Sequence, residues 1–127
     1  MGDWMNLIPG SIADKYEFYN FNSALEILTQ SYPEEFAELV QTLERFEIRL
    51  DDILEKGGNE SNIPKKLSEL LRPLEWREME ISGDLVVRLL EGKKRKEVYR
   101  EFALKEFISG HKIDYVKGNV AIDMEWN

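Results

Sequence analysis

Three acids, Asp114, Asp123 and Glu125, fall within the closing stretch "KIDYVKGNVAIDMEWN". Carboxylates at this density do one of three things: they form a solvated face, share a proton, or offer hard oxygen ligands to a divalent cation. From Val120 the apolar residues Val120, Ile122, Met124 and Trp126 alternate with Ala121, Asp123 and Glu125. A strand puts successive side chains on opposite faces, so the four apolar residues face a core and the two acids share the other side. Before it, Lys112, Asp114 and Val116 alternate with Ile113 and Tyr115, and "KGN" separates the two runs.

A two-residue Gly118-Asn119 loop of type II′ pairs Lys117 with Val120. That register sets Asp114 opposite Asp123 and Lys112 opposite Glu125. A Lys117-Gly118 loop instead sets Asp114 opposite Ala121 and diagonal to Asp123, still on one face. Directly opposed side chains have Cβ atoms about 4.5 to 5.5 Å apart, and like charges there repel. Two carboxylates so placed need a shared proton or a cation, and Mg²⁺ with its preference for oxygen ligands is the natural guest. On the pattern alone, a merely solvated strand face competes with this reading.

The elements that must position the acids can be read from the rest of the chain. Lys15 to Phe21 is aromatic-rich and reads as a short strand, after which Asn22 or Ser23 opens a helical stretch with Ala24, Leu25, Ile27 and Leu28. Ser31 and Glu34 have capping-box spacing, and Phe36, Leu39, Val40 and Leu43 follow at helical intervals, so a helix is expected over 32–46. Asp51 or Asp52 starts a short helical turn that Gly57 and Gly58 stop. Asn62 caps a further helix carrying Leu67, Leu70, Leu71 and Leu74, with Pro73 near its end. "WREMEISGDLVVRLL" reads as strand, with Gly83 a turn or bulge. The segment 93–110 places Val98, Phe102 and Phe107 near one side of a helix, and a helix is expected there although an extended reading remains open.

At 127 residues the chain is expected to be one domain, residues 1–127, of α/β (α+β) class. The 43% apolar and 33% charged content is that of a folded protein. There is no cysteine, so disulfides and thiolate metal sites are excluded and a reducing cytosol is permitted. No apolar run approaches the roughly 18 residues needed to span a bilayer, and no secretory signal is recognisable. A cytoplasmic location without membrane contact is the expectation. The net charge of −8 argues against a generic polyanion binder, yet seven of the seventeen basic residues (Arg88, Lys93, Lys94, Arg95, Lys96, Arg100, Lys105) lie in one 18-residue window.

The closing stretch resembles the active-site hairpin of the BglII/BstYI type II restriction endonucleases, relatives of BamHI in the PD-(D/E)xK nuclease superfamily. That family carries a segment of the form "(K/T)-(I/D)-(D/F)…VA-(I/V/L)-(E/D)-x-(Q/E)", which "KIDYVKGNVAIDMEWN" matches nearly end to end. The upstream order of "GGNES", a helix and then "WREMEI" is also similar, so the resemblance runs from about residue 20 onward. It implies a restriction-endonuclease-like core with Asp114, Asp123 and Glu125 as catalytic residues. Glu125 stands where the superfamily usually has Lys, as in BamHI-like members. The metal ligands implied are Asp114, Asp123, Glu125 and the backbone carbonyl of Met124. The implied reaction is Mg²⁺-dependent hydrolysis of phosphodiesters in double-stranded DNA at a specific site, with Mn²⁺ able to substitute. Family members continue beyond this hairpin, so the chain is expected to be an N-terminal part of a larger domain, homodimeric when complete.

Other residues carry weaker signals. Lys93, Lys94, Arg95, Lys96 and Lys112 are candidates for contact with DNA phosphates, although a charge run is more often a solvated loop. Asn59 and Ser61 in "GGNES" are candidates for the DNA backbone, although Gly-Gly before a helix is well explained as a turn. His111 beside the acids and Glu78 upstream are more simply surface residues. The competing class of function is a non-catalytic acidic module for protein binding or regulation. The two differ in whether Asp114, Asp123 and Glu125 converge.

Overall fold

The computed structural model describes residues 3–54, 62–94 and 96–126. Among the described residues five α-helices precede the strands: α1 (Gly10–Ala13), α2 (Ala24–Ser31), α3 (Pro33–Arg45), α4 (Leu50–Leu54) and α5 (Asn62–Leu71). Strands β1 (Arg77–Glu91), β2 (Glu97–Lys117) and β3 (Val120–Ile122) form a sheet in that order. This is an α+β fold with its helices in the N-terminal half and a hairpin near the C-terminus. Chain contacts separate two compact units, Met1–Arg77 with Asp114–Asn127, and Glu78–Ile113.

In the first unit, α3 packs against α1, α2 and α5. Pro33 at the first helical position, Glu34 and Glu35 in the first turn and Arg45 in the last all suit the helix dipole of α3. The expected Ser31–Glu34 capping box does not form, because Ser31 is the last residue of α2 and Tyr32 serves as the cap between the two helices. Ser23 does precede α2, but with φ of 56° and no capping bond. Asn20 supplies the acceptor instead, its Oδ1 receiving the Leu25 N–H at 3.0 Å.

Lys15 to Phe21 is not a strand. Among the described residues it has no ladder partner, and its polar groups go elsewhere: Lys15 Nζ donates to the carbonyls of Leu43 and Glu44 at 3.1 and 3.2 Å and also to that of Phe46. The Tyr16 hydroxyl donates to Leu43 O at 2.9 Å. These bonds satisfy carbonyls left open at the C-terminus of α3. Burial pushes the Tyr16 phenol pKa up from its ordinary value.

Ile63, Leu67 and Leu71 recur every four residues on α5 and are buried. The helix tightens through Arg72–Leu74 and ends in a Schellman-type turn: Glu75 has φ of 70°, its N–H donates to Arg72 O at 3.0 Å, and the Trp76 N–H donates to Leu71 O at 3.3 Å. Leu71 and Trp76, the apolar pair of that motif, are both in the core. Phe46, Ile63, Leu67, Leu71, Trp76 and Tyr115 form its centre, and Val120, Ile122, Met124 and Trp126 pack against it. The alternation from Val120 to Trp126 is therefore as expected, with Ala121, Asp123 and Glu125 exposed between the apolar residues.

The second unit is a long two-stranded ribbon. The expectation of a helix over 93–110 is overturned: Glu97 onward is strand. Phe102 and Leu104 alternate with Glu101 and Lys105, and the charged pair is taken up across the ribbon by Arg88 at 2.8 Å and Asp84 at 3.3 Å. Positive φ at Glu106 (51°) and Gly110 (74°) is incompatible with a helix there and bends the strand. The freed N–H groups are received by carboxylates, Glu106 by Asp84 and Gly110 by Glu80, both at 2.9 Å. Gly83 is not a turn. It lies inside β1, where the Ile108 side chain passes 3.6 Å from the position a Cβ would take.

Candidate active site

The turn between β2 and β3 has the first of the two registers considered. Lys117 pairs with Val120, Val116 with Ala121 and Tyr115 with Ile122. Gly118 has φ of 57°, while Asn119 is not among the residues with positive φ, which makes the turn type II′.

The ladder stops after Ile122, shorter than the alternation through Trp126 suggests, and the physical reason lies in the acids. The Asp114 N–H donates to Asp123 Oδ1 at 2.9 Å, and the Met124 N–H donates to Asp114 Oδ2 at 2.9 Å. Carboxylates thus take the place of strand carbonyls at the open end of the hairpin. Each aspartate commits one oxygen to the backbone of the facing segment. Among the described residues, the other oxygen of each makes no protein hydrogen bond.

One side chain, Arg72, holds the Asp114 main chain, and Tyr115 and Ser68 in turn support it. Arg72 Nη1 donates to Asp114 O at 2.9 Å and to Trp76 O at 3.0 Å, and its guanidinium stacks 4.2 Å above the Tyr115 ring. The Tyr115 hydroxyl lies 2.7 Å from Ser68 Oγ. At the turn itself, Lys117 Nζ meets both Glu38 carboxylate oxygens at 2.7 Å and Leu74 O at 2.8 Å, and Trp76 Nε1 donates to Glu38 at 3.0 Å. These contacts tie the hairpin to α3 and α5.

Sequence reasoning missed Glu38, Ser68, Arg72 and Lys117. No local pattern marks them, since their partners lie far along the chain.

The other sequence-derived candidates are dispersed. Glu125 is exposed on the side of Asp123, and among the described residues no three His, Asp or Glu side chains are gathered closely enough to form a metal-holding group, so the expected convergence of all three acids is not formed and only the Asp114 and Asp123 segments are linked across the hairpin. Lys112 is exposed, its Nζ 3.8 Å from Glu78, and His111 is exposed. Lys93, Lys94 and Lys96 lie in the connection between β1 and β2. Arg95, Asn59 and Ser61 lie outside the described residues.

Helices followed by a three-stranded antiparallel sheet fit a restriction-endonuclease-like α+β fold. The family model described as restriction endonuclease BglII/BglIII matches residues 16–127, and the chain belongs to that family. No curated protein and no solved structure matches it. Membership makes this a chain of type II nuclease lineage, from a family that binds DNA. No helix among the described residues is long and apolar enough to cross a membrane.

Proposed function

We propose that the chain supplies the metal-holding half-site of a site-specific endonuclease that hydrolyses phosphodiester bonds in double-stranded DNA. The observation that carries the reading is the pair of bonds from the Asp114 N–H to Asp123 Oδ1 and from the Met124 N–H to Asp114 Oδ2, which sets both carboxylates at the open end of the hairpin and, among the described residues, leaves one oxygen of each without a hydrogen bond. Two hard anionic oxygens suit Mg²⁺, or Mn²⁺ in its place. When bound, the ion supplies Lewis acidity toward a phosphate and lowers the pKa of water.

Asp114 and Asp123 would hold the ion directly. The Met124 N–H already turns toward Asp114, and in extended chain a residue's N–H and C=O point the same way, so its carbonyl is the natural neutral ligand. Glu125, two residues beyond Asp123 on the exposed side, would orient water or accept its proton. Arg72 holds the Asp114 main chain and so would keep the Asp114 carboxylate in place for an ion.

Calorimetric titration with Mg²⁺ and Mn²⁺ tests this. Binding heat is expected for the native chain and none for Asp114→Ala. Absence of heat in both, or equal heat in both, overturns the proposal.

The working form is proposed to be a homodimer. Met79, Ile81, Leu85 and Leu89 share one face of β1, and Val98, Phe102 and Leu104 share one face of β2. The Arg88–Glu101 and Asp84–Lys105 pairs occupy the reverse, and Ile108 over Gly83 extends the apolar side. These eight apolar side chains are 39–54% exposed. Together they offer roughly 700 Å², close to the ~800 Å² per partner that a specific interface buries.

A further inference from the structure

We infer that the β1–β2 ribbon is a DNA-gripping arm whose tip, carrying Lys93, Lys94 and Lys96, neutralises backbone phosphates. The inference rests on the proposed function only for the choice of duplex DNA as the polyanion. Its evidence is separate from the acids of the β2–β3 hairpin.

Residues 88–105 carry seven basic and three acidic residues in a chain whose net charge is −8. The ribbon sorts these charges. Near its middle, Arg88 and Lys105 are matched by Glu101 and Asp84. At the tip, β1 ends at Glu91 and β2 begins at Glu97, with Gly92 at φ of 110° opening the connection. Lys93, Lys94 and Lys96 are exposed there, and among the described residues no carboxylate lies within 4.0 Å of any of them.

Three ammonium groups on so short a connection repel one another, and an array of phosphates relieves that repulsion. The described tip residues are glycine and lysine, with no apolar side chain to enter a lipid layer. Tyr99, just inside the tip on β2, is 72% exposed and offers a ring to sugar or base.

The test measures binding to a fluorescein-labelled 20-base-pair duplex by anisotropy, in EDTA, across 50 to 300 mM NaCl. The K93Q/K94Q/K96Q variant is expected to bind more weakly, with a log–log salt slope shallower by about 2.7, at ~0.9 per phosphate neutralised. The native chain then loses about 40-fold more affinity than the variant between 50 and 200 mM salt. The charge-keeping variant K93R/K94R/K96R should retain the native slope, which separates charge from any effect on folding. An unchanged slope in the glutamine variant, or no binding by the native chain, overturns the arm. So does equal competition by polyglutamate and by unlabelled DNA, which points to generic polyanion binding. Because EDTA removes divalent ions, a chain that passes this test but gives no Mg²⁺ or Mn²⁺ heat sinks the metal-site reading alone.

Discussion

Glu38 and Lys117, 79 residues apart in sequence, form a pair in which the ammonium lies 2.7 Å from both carboxylate oxygens. The pair is partly buried, with side chains 23% and 29% exposed, and Trp76 Nε1 shares the same carboxylate. It joins α3 to the turn of the hairpin that bears the two aspartates. Glu38→Ala leaves the buried indole N–H without its acceptor and Lys117 with only the Leu74 carbonyl. A loss of about 2 kcal/mol is expected, between the values for exposed and for fully buried pairs. Urea unfolding followed by Trp fluorescence measures it. Glu38→Gln keeps an acceptor for Trp76 and should lose about half as much. Equal losses in the two variants would show that the indole bond contributes nothing.

Asp123 has two separable tasks, accepting the Asp114 N–H and offering a free oxygen. Asp123→Asn retains a carbonyl acceptor and removes the charge. It should unfold within about 0.5 kcal/mol of the native chain yet give no Mg²⁺ heat. Asp123→Ala should lose the heat and a further ~1 kcal/mol of stability. If the asparagine variant still gives native heat, Asp123 is not a metal ligand.

Asp52 is 4% exposed, with Lys66 Nζ and the Arg49 N–H on its carboxylate. The Lys66 bond foremost, and then the Arg49 N–H, hold its pKa below the ordinary carboxylate value against the opposing effect of burial. A carboxylate whose pKa is lowered by folding contributes fully above its unfolded value, near 4, and that contribution is lost as pH falls through the folded value. The stability difference between the native chain and Asp52→Asn should therefore be widest at neutral pH and close in acid. Denaturation curves from pH 7 down to pH 2.5 check the sign. A difference that grows toward low pH contradicts the assignment.

The apolar face of the ribbon makes a prediction about assembly. Phe102 and Leu104 are each 44% exposed, in the middle of that face. A native chain that self-associates through it should shift toward monomer by at least tenfold in dissociation constant on Phe102→Asp or Leu104→Asp. Sedimentation equilibrium reads this directly. Dimers that survive both substitutions must use another surface.

The residues from Val116 to Trp126 determine their own structure. Gly118 permits the positive φ of a type II′ turn, and an alternation of period two with apolar residues on one side has a single orientation against any core. The α5 helix is equally local, since Ile63, Leu67 and Leu71 mark its buried side at helical spacing. Residues 97–110 are not local. Val98, Phe102 and Phe107 suit a helix about as well as a strand, and the cross-strand partners Asp84 and Arg88 decided the matter. The aromatic run from Lys15 to Phe21 has strand composition, but a strand needs a neighbour, and α3 offers carbonyls instead. The same limit governed the candidate site. The sequence alone put Asp114 and Asp123 on one face across a turn, but two loops of equal length gave two registers, and the structure chose the one that pairs Lys117 with Val120. That Arg72 grips Asp114 and Glu38 grips Lys117 required the helices to pack first, since hydrogen bonds between residues so far apart exist only once tertiary structure has brought them together.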